Sequence, residues 1–144
     1  MKGQPITIFG NGKQTRCFGW VGDVVKGMVT LAGLPTAEGL VFNLGSDEEV
    51  TINQLALLVK EITGSESAIQ YVTYDQAYGK DFEDMHRRVP DLTRVRHTIG
   101  YAPSKSLREL VEVVVDSMSE PRMSEPRAIT SSETEPAIVL AASR

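Results

Sequence analysis

Short apolar runs and helically spaced apolar residues alternate along the first third of the chain. Ile6–Phe9 is β-branched and aromatic and is closed by Gly10-Asn11-Gly12, which predicts a strand entering a tight turn. From Val24 to Leu31 apolar residues recur at near-helical spacing, so we expect a helix there, with Asp23 as its N-cap and its end near Gly33. The opening of the chain is therefore predicted to be a strand, a turn and a helix.

The middle of the chain repeats this order of strand and helix. Leu40–Leu44 is a continuous apolar run, which predicts a buried strand. Thr51 then opens a second predicted helix, in which the apolar residues from Ile52 to Ile62 keep helical spacing until Gly64-Ser65. Ala68–Val72 alternates between apolar and polar residues, as in a strand with one solvated face.

Two further helices are predicted in the second half of the chain. The polar stretch Asp75–Arg88 is expected to be a loop, and its length suggests a function beyond connection. A helix is predicted to begin at Pro90, and a last one follows Ser106, which forms a capping-box pattern with Glu109. The pattern as a whole predicts a small α/β unit with three short strands and about four helices.

The composition changes near Ser119. The sequence Ser-Glu-Pro-Arg occurs at 119–122 and again at 124–127, and the residues after this repeat are mostly Ser, Thr and Glu. Such a segment buries too little apolar surface to offset its chain entropy. We therefore expect a folded region at 1–118 and a flexible Ser/Glu/Pro-rich tail at 119–144, within which Ala137–Ala142 is apolar enough to dock elsewhere.

Composition excludes several classes of function. The 144-residue chain carries a formal net charge of -4, which offers no cationic field for nucleic acid or an anionic membrane. The single cysteine, Cys17, excludes an intramolecular disulfide and a Cys-based zinc cage, and favours a cytoplasmic setting. No apolar run reaches the roughly 18 residues needed to span a bilayer, and the run after Met1–Pro5 is too short for a signal peptide. No metal site is expected.

Four stretches together carry a family resemblance. They are Pro5–Phe18 with its Gln14-Thr15-Arg16 followed by Val21-Gly22-Asp23, Val41–Gly45 followed by Thr51-Ile52-x-x-Leu55-Ala56, Arg87-Arg88-Val89-Pro90-Asp91, and Ile99–Pro103. In this order they resemble the carboxy-terminal region of NAD-dependent epimerases, dehydratases and decarboxylases of nucleotide sugars, the extended short-chain dehydrogenases/reductases. Among the branches, the motifs look most like UDP-glucuronate decarboxylases, with dTDP-glucose dehydratases and UDP-glucose epimerases close behind.

The resemblance implies a set of substrate-binding residues. Arg16 and Arg88 would clamp the diphosphate of a UDP- or dTDP-sugar, because a planar guanidinium holds a phosphate by two parallel hydrogen bonds. Backbone groups around Ile8 would contact the base, and Gln14 of the Gln-Thr-Arg motif is a further ligand-binding candidate. Asn43 either binds ligand or caps its strand end. The structural alternative is that both arginines are solvated surface cations.

The chemistry of the family needs features that this sequence lacks. The resemblance implies transient oxidation of the sugar by NAD, with a Tyr-x-x-x-Lys pair as the base. None of the four tyrosines is followed four residues later by lysine, and no Gly-rich phosphate loop follows a first strand. We therefore assign no catalytic and no cofactor-binding residue, and expect an α/β substrate-binding lobe whose Rossmann NAD-binding half is absent.

Two functions remain open. In the first, the chain is the nucleotide-sugar-binding portion of an NAD-dependent decarboxylase, dehydratase or epimerase and is inactive alone. In the second, it is a non-catalytic remnant that acts as a protein-interaction module, pairing with itself or with a Rossmann-containing homologue through the apolar helix predicted at 24–33. An unrelated small α+β protein would require every motif to be a coincidence.

Overall fold

Four short strands and five α-helices lie within residues 3–79 and 84–119, the ranges that the computed structural model describes. In chain order they are β1 (Ile6–Phe9), β2 (Thr15–Cys17), α1 (Val21–Ala32), β3 (Glu49–Thr51), α2 (Ile52–Thr63), β4 (Ile69–Val72), α3 (Tyr74–Tyr78), α4 (Thr93–Ile99) and α5 (Leu107–Ser119). A short 3-10 turn at Pro35–Ala37 follows α1. The predicted small α/β unit is confirmed, with one strand and one helix more than expected.

The strands form two separate two-stranded sheets. β1 pairs with β4 in parallel, Ile6 lying opposite Ile69, and β2 pairs with β3 antiparallel, Thr15 lying opposite Thr51. The predicted turn Gly10–Gly12 leads from one sheet to the other, with φ angles of 73° at Gly10 and 69° at Gly12. These positive φ angles suit glycine, which carries no Cβ to clash.

Helices α2 and α5 begin at the capping residues that the sequence predicts. At the start of α2, Thr51 Oγ1 accepts a hydrogen bond from Gln54 N at 3.1 Å, and Gln54 Oε1 accepts one from Thr51 N at 2.9 Å. At the start of α5, Glu109 Oε2 accepts from Ser106 N at 2.8 Å, which confirms the capping box predicted there. Gly64 ends α2 in the left-handed conformation.

Two apolar clusters stabilise the fold. In the first, Val50 of β3 packs with Leu107 and Val111 of α5, and half-buried residues of α2 surround them. In the second, Leu92 and Val95 of α4 pack with Tyr101, and Leu31, Phe42, Leu44 and Ile99 complete this cluster. The α1 helix approaches the second cluster through Gly27, where a Cβ would meet the side chains of Leu44 and Tyr101.

The strand predicted at Leu40–Leu44 is wrong. No strand is assigned there, and the Leu40 and Val41 side chains are 51% and 79% exposed. Phe42 and Leu44 instead pack against the Leu92 cluster. None of the described strands pairs with this segment, so its apolar run meets a helix on one side and solvent on the other.

Three predicted boundaries differ from the structure. Asp23 is not the N-cap of α1, because the helix begins at Val21, three residues earlier than predicted, with Trp20 as its N-cap; Asp23 Oδ2 instead accepts a hydrogen bond from Ser104 N at 2.8 Å. The helix predicted at Pro90 begins at Thr93, since Asp91 Oδ1 accepts from Thr93 N at 2.8 Å. The loop predicted from Asp75 begins inside α3.

The structure does not describe the two ends of the chain or part of the predicted loop. Residues 1–2, 80–83 and 120–144 are not described, so the division into 1–118 and a tail at 119–144 stays a prediction. Among the described helices, none has the length and apolar character to cross a membrane.

The buried turn at Gly12 gives a testable difference between two glycines. Gly12→Ala would place a Cβ against the Asn53 side chain, whereas Gly39, at a similar φ of 70°, has nothing within 4 Å. Gly39→Ala should cost the backbone penalty alone, about 1–2 kcal/mol. Gly12→Ala should cost roughly 1 kcal/mol more, because it disturbs the hydrogen bond from Asn53 Nδ2 to Asn11 O. Denaturant unfolding followed by circular dichroism measures both; equal losses would contradict this account.

Candidate functional site

The carboxyl end of β1 opens into a concavity of about 350 Å³, which we call the β1 cavity. Strand β1 and the residues just after the glycine turn form one side, and α3 forms the other. Its lining consists of Thr7, Ile8, Phe9, Gln14, Arg16, Ile52, Tyr74, Tyr78 and Asp84. The cavity therefore joins an apolar, aromatic wall to a charged corner.

The aromatic wall comes from β1 and α3. The ring centroids of Phe9 and Tyr78 lie 5.4 Å apart, and those of Tyr74 and Tyr78 lie 6.5 Å apart. Phe9 is 39% exposed and Tyr78 is 56% exposed. Sequence reasoning missed this wall, although Thr73-x-x-Gln76 is a capping-box pattern that predicts α3, and both of its hydrogen bonds are present.

The charged corner is an ion pair between Arg16 and Asp84. Arg16 Nη2 lies 2.6 Å from each carboxylate oxygen of Asp84, and Arg16 Nη1 donates to Thr15 O at 2.7 Å and to Met85 O at 2.8 Å. The two side chains are 19% and 20% exposed. Tyr74 also donates its hydroxyl hydrogen to Asp84 Oδ2 at 3.0 Å. Arg16 is thus a partnered, half-buried cation, and not the solvated one of the structural alternative.

A second concavity, of about 480 Å³, lies on the other side of Arg16. Its lining is Arg16, Cys17, Arg88, Val89 and Pro90, and we call it the Arg88 cavity. Arg88 is exposed, and it makes no hydrogen bond or ion pair with any residue in the described ranges. The two cavities share Arg16, so the structure brings both predicted arginines to neighbouring walls.

Backbone and charge contacts fasten the segment that carries Arg88. Thr15 forms a bridge with Arg87, and Thr15 N donates to His86 O at 2.8 Å. Arg87 holds the Glu49 carboxylate through Nε and Nη2 at 2.9 to 3.2 Å, and these bonds together with the Thr15 hydroxyl lower the pKa of Glu49. Residues 86–88 are therefore held beside β2.

The remaining predicted site residues have different positions. The Ile8 side chain is 2% exposed, so the strand offers its backbone and not this side chain to a ligand. Gln14 is buried, and its Nε2 donates to Phe9 O at 2.9 Å across the glycine turn. Asn43 lines neither cavity, and it donates from Nδ2 to Asp91 O at 3.1 Å, next to Pro90 of the Arg88 cavity. Ile8, Gln14 and Arg16 come together; Asn43 does not join them.

Neither a metal site nor a dinucleotide loop is formed by the parts of the chain that are described. No group of three metal-ligating His, Cys, Asp or Glu side chains occurs there. The turn Gly10–Gly12 leads into β2 instead of a helix, and a Cβ at Gly12 would meet Asn53. A dinucleotide loop holds the pyrophosphate at the N-terminus of the helix that follows it, and β2 follows this turn, so the turn does not fit NAD. Burial raises the pKa of the Cys17 thiol, and the nearby Glu49 carboxylate raises it further.

Known proteins resemble this chain across most of its length. The family model of GDP-mannose 4,6 dehydratase matches residues 1–114. UDP-glucuronic acid decarboxylase 1 of Danio rerio is 35% identical over 109 residues, which cover 76% of this chain and 24% of the relative. The chain therefore spans about a quarter of this relative's length.

Solved structures show the same likeness in three dimensions. UDP-glucose 4-epimerase of Thermotoga maritima, solved with UDP-glucose, is 31% identical with a TM-score of 0.69 and covers 81% of this chain and 35% of its own. UDP-glucuronic acid 4-epimerase of Bacillus cereus, solved with UDP-glucuronic acid and NAD, is 25% identical with a TM-score of 0.70 and covers 80% and 35%. These matches confirm the predicted substrate-lobe fold.

The phenol of Tyr74 gives a pH-dependent test of the charged corner. Burial raises its pKa above the usual value of about 10, and the hydrogen bond to Asp84 raises it further. The protonated Tyr74 phenol therefore contributes fully to the free energy of unfolding below about pH 10. This contribution is lost as the pH rises through the pKa that Tyr74 has in the folded protein. Tyr74→Phe should remove a late-ionising component from the absorbance titration and flatten the fall in Tm at high pH. The component from Tyr101, also raised by burial, should remain; an unchanged titration would refute this assignment.

Proposed function

Because this chain belongs to the NAD-dependent epimerase/dehydratase family, we propose that it binds a UDP- or dTDP-linked sugar at the two cavities that share Arg16. The observation that carries the proposal is Arg88, an exposed cation without a partner in the described ranges, which lines a cavity next to a second arginine. The solved relatives named above contain UDP-glucose or UDP-glucuronic acid, and this supports the choice of ligand.

Arg88 supplies the chemistry that a diphosphate needs. Its guanidinium is permanently charged, and it offers a planar fork of N–H donors that matches two phosphate oxygens. The neighbouring Val89 and Pro90 exclude some water from this wall, which strengthens the attraction relative to a fully solvated pair. In this proposal Arg88 makes the first contact with the diphosphate.

The β1 cavity suits the base of the nucleotide. Phe9 and Tyr78 present partly exposed rings on one side. A flat, neutral pyrimidine base stacks on such rings and needs no charged side chain. Backbone groups on the edge of β1 that does not face β4 would read the base, as the resemblance implies for the strand around Ile8; Phe9 O already accepts from Gln14. The carboxyl end of the strand then directs the phosphates toward Arg16.

The activity of a complete relative is a further part of the proposal. We propose that the parent reaction is a nucleotide-sugar decarboxylation, dehydration or epimerisation, in a cytoplasmic setting, and that this chain alone does not turn over. NAD, when bound by a full-length relative, supplies reversible oxidation of the sugar. The residues described here bind and orient the nucleotide, and the turn Gly10–Gly12 does not fit the cofactor.

Removal of Arg88 tests ligand binding directly. In calorimetric titrations with UDP, UDP-glucuronate, dTDP and NAD, we expect saturable binding of the pyrimidine nucleotides and none of NAD. Arg88→Ala should weaken UDP binding about tenfold or more, because a charge-assisted hydrogen bond is worth roughly 1.5–3 kcal/mol.

The matched control is Arg108→Ala, which removes an equally charged side chain on α5 that pairs with Glu61 far from both cavities. Its UDP affinity should equal that of the unsubstituted chain. Equal losses in the two variants would mean that only net charge matters, and an absence of nucleotide binding would refute the proposed function.

A second candidate function is favoured by the surface of α1. Four apolar side chains on one face of this helix are more than half exposed: Val21, Val25, Met28 and Val29. The exposed Leu40 and Val41 add to the uncovered apolar surface of the chain. A contiguous apolar face of this kind is typical of an interaction surface. We infer that α1 pairs with another polypeptide, a Rossmann-containing homologue or a second copy of this chain.

Self-association of the chain tests whether the apolar face of α1 binds another polypeptide. The purified chain should show concentration-dependent association in sedimentation velocity, and Val25→Lys combined with Val29→Lys should abolish it. Leu57→Lys, which changes an exposed apolar residue on α2, is the control and should associate as before. A chain that stays monomeric at every accessible concentration would argue against a pairing role for α1.

A further inference from the structure

The hydrogen bonds of Arg16 leave little for a ligand. A guanidinium has five N–H donors, two on each terminal nitrogen and one on Nε. In Arg16 both terminal nitrogens already donate to four oxygens, two on Asp84 and two on backbone carbonyls. Only Nε–H is without an acceptor among the described residues.

This arrangement conflicts with a bidentate phosphate. A guanidinium can grip two oxygens end-on through Nη1 and Nη2, or side-on through Nε and Nη2. Both arrangements use Nη2, and in Arg16 this nitrogen is held by the Asp84 carboxylate at 2.6 Å. A diphosphate also repels the Asp84 charge at this distance.

We propose that Asp84 occupies the place on Arg16 that the diphosphate takes, so that ligand binding exchanges a carboxylate for a phosphate. This proposal rests on the proposed function and adds a competitor within the chain. Arg88 remains available in the adjoining cavity while Arg16 is paired, so it anchors the ligand before the exchange. Tyr74 stabilises the paired state through its hydrogen bond to Asp84.

The location of the Arg16–Asp84 pair suits an exchange. Each side chain retains about a fifth of its exposure, and both line the β1 cavity, so solvent and ligand reach them. The other ion pairs in the described ranges, such as Arg96 with Asp47, join side chains that line neither cavity. The exchange also favours ligands with two phosphate charges over singly charged anions. Only a doubly charged ligand attracts Arg16 more strongly than the Asp84 carboxylate that it displaces.

Asp84→Asn tests the exchange because it removes the charge and keeps the shape. We expect the Kd for UDP, measured by calorimetry on the full 144-residue chain, to fall about threefold to tenfold, and the Kd for inorganic pyrophosphate to fall with it. The control is Asp47→Asn, which removes a carboxylate charge that is paired with Arg96. Its Kd should not change.

The direction of the change separates the explanations. A merely structural role of Asp84 predicts weaker binding on substitution, so tighter binding by Asp84→Asn, matched by a smaller gain in Tyr74→Phe, supports the exchange. Unchanged or weaker binding by Asp84→Asn, with UDP still bound by the unsubstituted chain, overturns the exchange and leaves the proposed function intact. If none of the three proteins binds UDP or pyrophosphate, the proposed function fails and the exchange fails with it.

A second variant guards against misfolding of Asp84→Asn. Tyr74→Phe keeps the aromatic ring and removes the hydroxyl group that donates to Asp84 Oδ2. It should lower the Kd for UDP in the same direction by a smaller factor, about twofold. Should Asp84→Asn fail to fold, an unchanged or higher Kd in Tyr74→Phe overturns the proposal.

Discussion

The contact between the glycine turn and the start of α2 holds the two sheets together. β1–β4 and β2–β3 share no strand, so the hydrogen bonds around the turn are what fix one sheet relative to the other. Asn53 donates from its backbone to Gly12 O at 3.0 Å and from its side chain to Asn11 O, and Ile52 N donates to Gln14 O at 3.1 Å. The position of Arg16 relative to β1, and therefore the shape of both cavities, depends on these bonds.

Features set by nearby residues were predictable from the sequence. The capping box of Thr51 and Gln54, the strand at Ile6–Phe9 and the end of α2 at Gly64 each depend on residues within a few positions. The run Leu40–Leu44 was wrongly assigned because a strand needs a partner, and apolar character alone cannot supply one. Likewise, Asp23 looked like a helix cap, but its hydrogen-bond partner is Ser104, 81 residues away.

The candidate site likewise has features that the sequence indicates and features that it does not. Arg16 and Arg88, which belong to two separate motifs of the sequence, lie on adjoining walls in the structure, and their binding role stays a prediction. The state of each arginine was not predictable. Arg16 meets Asp84 across 68 positions of sequence, and no local pattern encodes that contact. Two arginines with the same expected role thus differ in what they have to give up before they bind an anion.

The exposed segment Leu40–Leu44 also bears on the tendency of the chain to aggregate. An apolar run with free backbone groups is a template for strand addition by another molecule, and this is a common route to aggregation. Here Arg94 donates from Nη1 to Val41 O at 2.8 Å, which occupies the carbonyl of the most exposed apolar residue in the run and places a charge beside it. One of the backbone acceptors that strand addition to this segment would use is therefore already taken.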